Sequence, residues 1–153
     1  MLETKTKNDE PTQDAEPGSR DRAARPYGWE LVLDLHGCDK QRFNRKSIDA
    51  FFTELCDLID MEKCDVHFWD DVGVPEDEKQ TSPQTTGTSA VCFILTSTIV
   101  IHTLDLLGSV FVNIFSCKSF EPDAARDFTV SWFKASACRD TWIERTAGGG
   151  PAE

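Results

Sequence analysis

Between Thr88 and Cys117 the chain carries two β-branched apolar runs, the first with a polar interruption, and no other stretch constrains the fold as tightly. The run from Thr88 to Thr103 is the most apolar in the sequence, rich enough in Val, Ile and Thr to read as buried strand, and it breaks at Thr96-Ser97-Thr98. A strand, a short turn and a returning strand is the simplest solution. A further strand follows Gly108, from Ser109 to the thiol of Cys117. This layout predicts that the Ser97 hydroxyl, the carbonyl before it and His102 come within reach of one another, beside Cys117. Residue types leave two readings open. In one, Ser97 is a turn residue, His102 a strand-end histidine and Cys117 a small buried hydrophobe. In the other, hydroxyl, imidazole and thiol form a reactive set. Residue types alone favour the first.

The remaining elements follow from periodicity. Leu31, Leu33 and Leu35 alternate with Glu30, Asp34 and His36, predicting a half-buried strand over residues 29–36 that Gly37 ends. Ile48, Phe51, Phe52, Leu55, Leu58 and Ile59 recur with helical spacing and form one apolar stripe. Asp65-Val66-His67-Phe68-Trp69 reads as a second strand, and residues 70–87 as a long polar loop. Glu121-Pro122-Asp123 opens a second helix with Ala125, Phe128 and Trp132 on its packing face, and residues 141–145 form a last strand. The predicted fold is an α+β two-layer sandwich, a mainly antiparallel sheet with two helices on one face.

Residues 1–26 hold six acidic and five basic side chains and almost nothing to bury, so they read as a disordered tail. Residues 27–146 form one domain, and 147–153 a frayed Gly-rich end. Most of the formal net charge of -11 therefore resides in the folded part. It argues against nucleic-acid or anionic-membrane binding and suits a small cationic substrate. The absence of a membrane-length apolar run and of a signal-peptide core predicts a cytoplasmic protein. Six cysteines without CxxC spacing read as free thiols rather than as disulfides or a metal site.

Gly87-Thr88-Ser89-Ala90, Thr96-Ser97, Ile101-His102-Thr103 and Val112-Asn113-Ile114-Phe115-Ser116-Cys117 together resemble the core of the bacterial and archaeal S-adenosylmethionine decarboxylase proenzymes. Leu33-Asp34-Leu35-His36-Gly37-Cys38-Asp39 is similar to that family's first strand. The resemblance extends over residues 29–145 and keeps Ser89, Ser97, His102 and Cys117 in the family's spacing without a gap.

That resemblance implies a self-processing, pyruvoyl-dependent decarboxylase of polyamine (spermidine) biosynthesis. It implies cleavage between Thr96 and Ser97, with Ser97 the precursor of the pyruvoyl group that bears the Schiff base. Ser89 assists the rearrangement, His102 abstracts a proton during processing and Cys117 donates a proton to the substrate. It further implies substrate contacts from Phe68 or Trp69, stacking on adenine, and from Asp34, and a homodimer with active sites at the subunit interface. No metal is expected.

Leu106 stands where relatives carry the glutamate that holds the ribose hydroxyls, so Asp105, or Glu76, Asp77 or Glu78 of the long loop, becomes the candidate for that contact. Thr96 replaces the usual glutamate before the serine, and Thr98 the histidine after it. These departures leave two alternatives: decarboxylation of a free amino acid such as arginine or ornithine, and a non-cleaving homologue acting as partner or regulator.

Overall fold

The computed structural model describes residues 26–148. The tails expected at 1–26 and 147–153 lie largely outside them. Six strands form one antiparallel sheet: β1 (Gly28–His36), β2 (Lys63–Trp69), β3 (Ser89–Ile94), β4 (Ser97–Leu104), β5 (Ser109–Ser116) and β6 (Ala137–Arg145), in the spatial order β2-β3-β4-β5-β1-β6. Helices α1 (Arg45–Leu58) and α2 (Pro122–Phe133) cover one face, giving the two-layer α+β sandwich predicted above.

The inner layer follows from strand alternation. Leu31, Leu33 and Leu35 of β1 are all buried, as are Ile99 and Ile101 of β4 and Val110, Val112 and Ile114 of β5. Against them α1 buries Ile48, Phe51, Phe52 and Leu55 of the predicted stripe, while Leu58 is about half exposed at the helix end and Ile59 is buried just past it; the first turn is capped by Asn44 Oδ1, which accepts from Ser47 N at 2.9 Å. In α2 the deepest residues are Ala125, Thr129 and Phe133, one i, i+4 row. Phe128 and Trp132 sit beside that row and pack on the Phe51 ring at centroid distances of 5.8 and 6.1 Å. The helix is thus rotated from the expected face, because Phe133, fully buried, takes the centre.

The last strand begins at Ala137, four residues before the alternation announces it. Ala137-Cys138-Arg139-Asp140 pairs with His36-Leu35-Asp34-Leu33 of β1 as an edge, through main-chain bonds that impose no apolar pattern. No helix of the described residues is long and apolar enough to cross a membrane.

Two features position the site. The β3–β4 hairpin turns on Leu95 and Thr96, so Ser97 begins β4 directly opposite Ile94. At the other end of the same strands the 70–87 loop returns through Gly87, where a Cβ would lie 1.8 Å from the Thr103 carbonyl oxygen, so only glycine permits this approach to β4.

Candidate active site

Among the described residues nothing covers the outer face of the sheet, and the reactive residues gather at the two ends of β4 and its neighbours, Ser97 on the helix-covered side at one end and Ser89 with His102 on the outer side at the other. At the hairpin end, Ser97 is 7% exposed and its Oγ accepts a hydrogen bond from Cys117 N at 3.2 Å. Cys117 lies just beyond β5, and its Sγ meets Thr96 Oγ1 at 3.3 Å. The thiol is held below its ordinary range, first by the hydrogen bond with Thr96, with further help from the Ser97 hydroxyl and from backbone groups of Cys117 and Thr96. The Ser97 hydroxyl, the backbone carbonyl it follows and a polarised thiol from the end of β5 therefore meet at one turn.

At the opposite end, Trp69, Ser89, His102, Phe111, Asp34 and Arg139 are successive cross-strand partners, one row spanning all six strands. Ser89 Oγ and His102 Nδ1 are 2.7 Å apart, and His102 Nε2 has no protein partner among the described residues. Trp69, Ser89, His102 and Phe111 line a cleft of about 620 Å³ that the 70–87 loop walls on one side. The loop is held by Asp70, whose carboxylate takes Arg45 Nη2 and Nε at 2.6 and 2.7 Å, and by Asp71 Oδ2, which accepts from Gln80 N at 2.8 Å. The Arg45 guanidinium holds the Asp70 carboxyl below the usual carboxylate range.

This geometry corrects the expectation that Ser97 and His102 come within reach of one another. They are five residues apart on a regular strand, which separates them by about 17 Å and turns them to opposite faces. Within one chain, Ser97 and Cys117 form one group and Ser89 and His102 another.

The expected substrate contacts are likewise divided. Trp69 is 83% exposed and faces the cleft. Phe68, its neighbour, takes the opposite face by strand parity and packs against the core, with the Arg45 guanidinium 5.7 Å from its ring centre. Asp34 lies in the His102 row but two strands away, roughly 10 Å off, with its Oδ2 3.9 Å from Arg139 Nε. Asp105 lines a separate hollow beside the start of α1 rather than the His102 cleft. There burial raises its carboxyl pKa, while Thr103 Oγ1 donates to Oδ1 at 3.1 Å and partly offsets that rise. Leu106 is a half-exposed turn residue.

Sequence reasoning did not single out Phe111, which floors the cleft, or the bond between Thr96 and Cys117. Phe111 follows from β5 parity once His102 is paired with it; nothing local announces the Thr96 contact, which joins residues 21 positions apart. All six cysteines are free, as the spacing predicted.

The family described as S-adenosylmethionine decarboxylase matches residues 29–146. Two relatives, the S-adenosylmethionine decarboxylase proenzymes of Caldicellulosiruptor saccharolyticus and Caldicellulosiruptor bescii, are each 30% identical over 120 residues, spanning 77% of this chain and 87% of theirs. The solved adenosylmethionine decarboxylase of Aquifex aeolicus shares the fold at a TM-score of 0.64 and 19% identity, over 85% of this chain and 99% of that one. With a family match running through every strand and both helices, this chain belongs to the S-adenosylmethionine decarboxylase family.

Proposed function

We propose that the chain is a self-processing decarboxylase of S-adenosylmethionine, serving polyamine (spermidine) biosynthesis. The observation that carries this reading is the Ser97 group: a buried hydroxyl at a two-residue turn, bonded to Cys117 N and flanked by the Cys117 thiol.

Processing begins with Ser97 Oγ attacking the Thr96 carbonyl, which breaks the Thr96–Ser97 amide and forms an ester, the Ser97 nitrogen taking the proton. A base then removes the Ser97 α-proton, the Thr96 carboxylate leaves, and hydrolysis of the resulting dehydroalanine releases ammonia. The products are residues 1–96 and a shorter chain beginning at position 97 with a pyruvoyl group. That group, once formed, supplies an electrophilic carbonyl in conjugation with an amide, which draws electrons from the substrate as carbon dioxide departs. Cys117 is placed to return a proton to the substrate carbon, a role that suits a thiol of lowered pKa.

The base is His102, oriented by Ser89. A second copy brings it within range. Laid on the outer face with β4 running antiparallel, the partner sets its Ser89 and His102 over the exposed β3–β4 turn of the first chain, beside the backbone of Ser97 rather than its inward-facing hydroxyl, and the two-fold axis repeats the arrangement. The apolar side chains on that face support a homodimer of this kind: Phe93 and Ile143 are 47% and 37% exposed, and Phe115 lies between Tyr27 and Arg145.

The reading is tested by carbon dioxide release from carboxyl-labelled S-adenosylmethionine, arginine and ornithine. Release from S-adenosylmethionine alone is expected. Release from an amino acid alone replaces the substrate, and release from none supports the non-catalytic alternative.

A further inference from the structure

Three acidic residues of the 70–87 loop approach the His102 cleft: Asp70, Asp71 and Glu78. Asp70 is committed to Arg45, and Asp71 to the Gln80 N–H. Glu78 lies in the one-turn helix Glu76–Glu78, and its carboxylate has no hydrogen bond or ion pair among the described residues. Glu76, two positions earlier, pairs with Lys79 and does not line the cleft; neither does Asp77. The cleft thus presents one free carboxylate together with the nearly bare indole of Trp69, both beside His102.

These two groups complement the two ends of a nucleoside. An indole face stacks on a purine whatever its hydrogen-bonding edge, and a carboxylate accepts both hydroxyls of a vicinal diol in a bidentate contact. A free amino acid offers neither a flat ring nor a diol. Leu106 on the β4–β5 turn has no acceptor to give, and Asp105 opens into the neighbouring hollow. Glu78 sits in the same cleft as His102, whereas Asp105 does not.

Building on the decarboxylase reading, we infer that Glu78, carried by the long loop, is the carboxylate that receives the 2′- and 3′-hydroxyls of the substrate nucleoside while Trp69 holds its base. Glu78 is then the residue that makes the site select a nucleoside over an amino acid, and the loop is part of the substrate site.

The test is titration calorimetry of the full-length protein with 5′-methylthioadenosine and with its 2′,3′-dideoxy counterpart, alongside a gel that reports cleavage. Wild-type protein is expected to bind the diol-bearing nucleoside at least about tenfold more tightly, the difference a hydrogen-bonded charge supports. Glu78→Ala is expected to bind both alike at the weaker level, Glu78→Gln to fall between, and Glu76→Ala to match wild type. Wild-type discrimination that survives in Glu78→Ala overturns the assignment, and so does a wild-type protein that binds neither nucleoside. The two readings fail separately. A cleaved, decarboxylating chain whose discrimination ignores Glu78 removes Glu78 alone, whereas an uncleaved chain that discriminates through Glu78 keeps the nucleoside site and removes the decarboxylase.

Discussion

The two ends of the β3–β4 pair are built to opposite specifications. The hairpin end is tight: Ser97 is buried, its hydroxyl accepts from Cys117 N, and the Thr96 hydroxyl meets the Cys117 thiol. The far end is open, a cleft floored by His102 and Phe111, edged by Trp69 and walled by a loop that carries acids. A tight cluster can activate a group of the chain itself, and an open cleft can receive a molecule from outside. Neither end is a complete site for both tasks, and about 17 Å of strand keeps them apart in one chain. In the homodimer proposed above, the pairing of unlike ends across two copies turns this separation into a complete site.

Removing Ser97 attacks the tight end most severely. Ser97→Ala should abolish both chain splitting and turnover, since no hydroxyl remains to start the acyl shift. His102→Ala should arrest processing for a different reason, and the two variants together offer a sharper test. In a mixed dimer, one site combines the intact Ser97 of one chain with the intact His102 of the other. Co-expression of two singly inert variants should restore cleavage at about a quarter of the sites by random pairing. No recovery in a verified mixed dimer means the two ends do not act across copies.

Cys117→Ala should leave cleavage visible on a gel while lowering carbon dioxide release by about a hundredfold or more, the usual weight of a general acid. A smaller, more local effect belongs to Thr96. In the uncleaved Ser97→Ala chain, the pH profile of Cys117 alkylation, followed by peptide mass mapping, should have a midpoint below that of an ordinary thiol. Thr96→Val should move it upward, because the leading contribution to the lowered thiol pKa is lost. A profile that ignores the substitution detaches Thr96 from the thiol.

The smallest effect is expected at the loop anchor. Asp70 has a folded pKa below its unfolded value, so its contribution is present above the usual carboxylate range and is lost as pH falls through the lowered folded value. Asp70→Asn should speed amide exchange across residues 71–86 at neutral pH and leave the melting temperature nearly unchanged.

Most of the fold was legible because its information is periodic. The alternation of Leu31, Leu33 and Leu35 and the stripe from Ile48 to Leu55 each recorded which side faces the core. Strand parity also contained the separation of Ser97 from His102 and of Phe68 from Trp69. An odd offset on a strand means opposite faces, and proximity along the chain concealed that. The start of β6 was not legible, since an edge held by backbone bonds needs no apolar pattern. Nor was the cleft, whose wall depends on the Arg45–Asp70 and Asp71–Gln80 contacts between residues distant in sequence or joined through the backbone.

The central claim is that Ser97 breaks the peptide bond before it and is itself converted to a ketone. Intact-mass analysis of purified, folded protein, with and without borohydride in the presence of an amine, measures both events at once. The account predicts two fragments, residues 1–96 and a chain from position 97 whose mass reflects a pyruvoyl terminus and increases on reductive trapping. A single full-length mass that does not change after long incubation contradicts it.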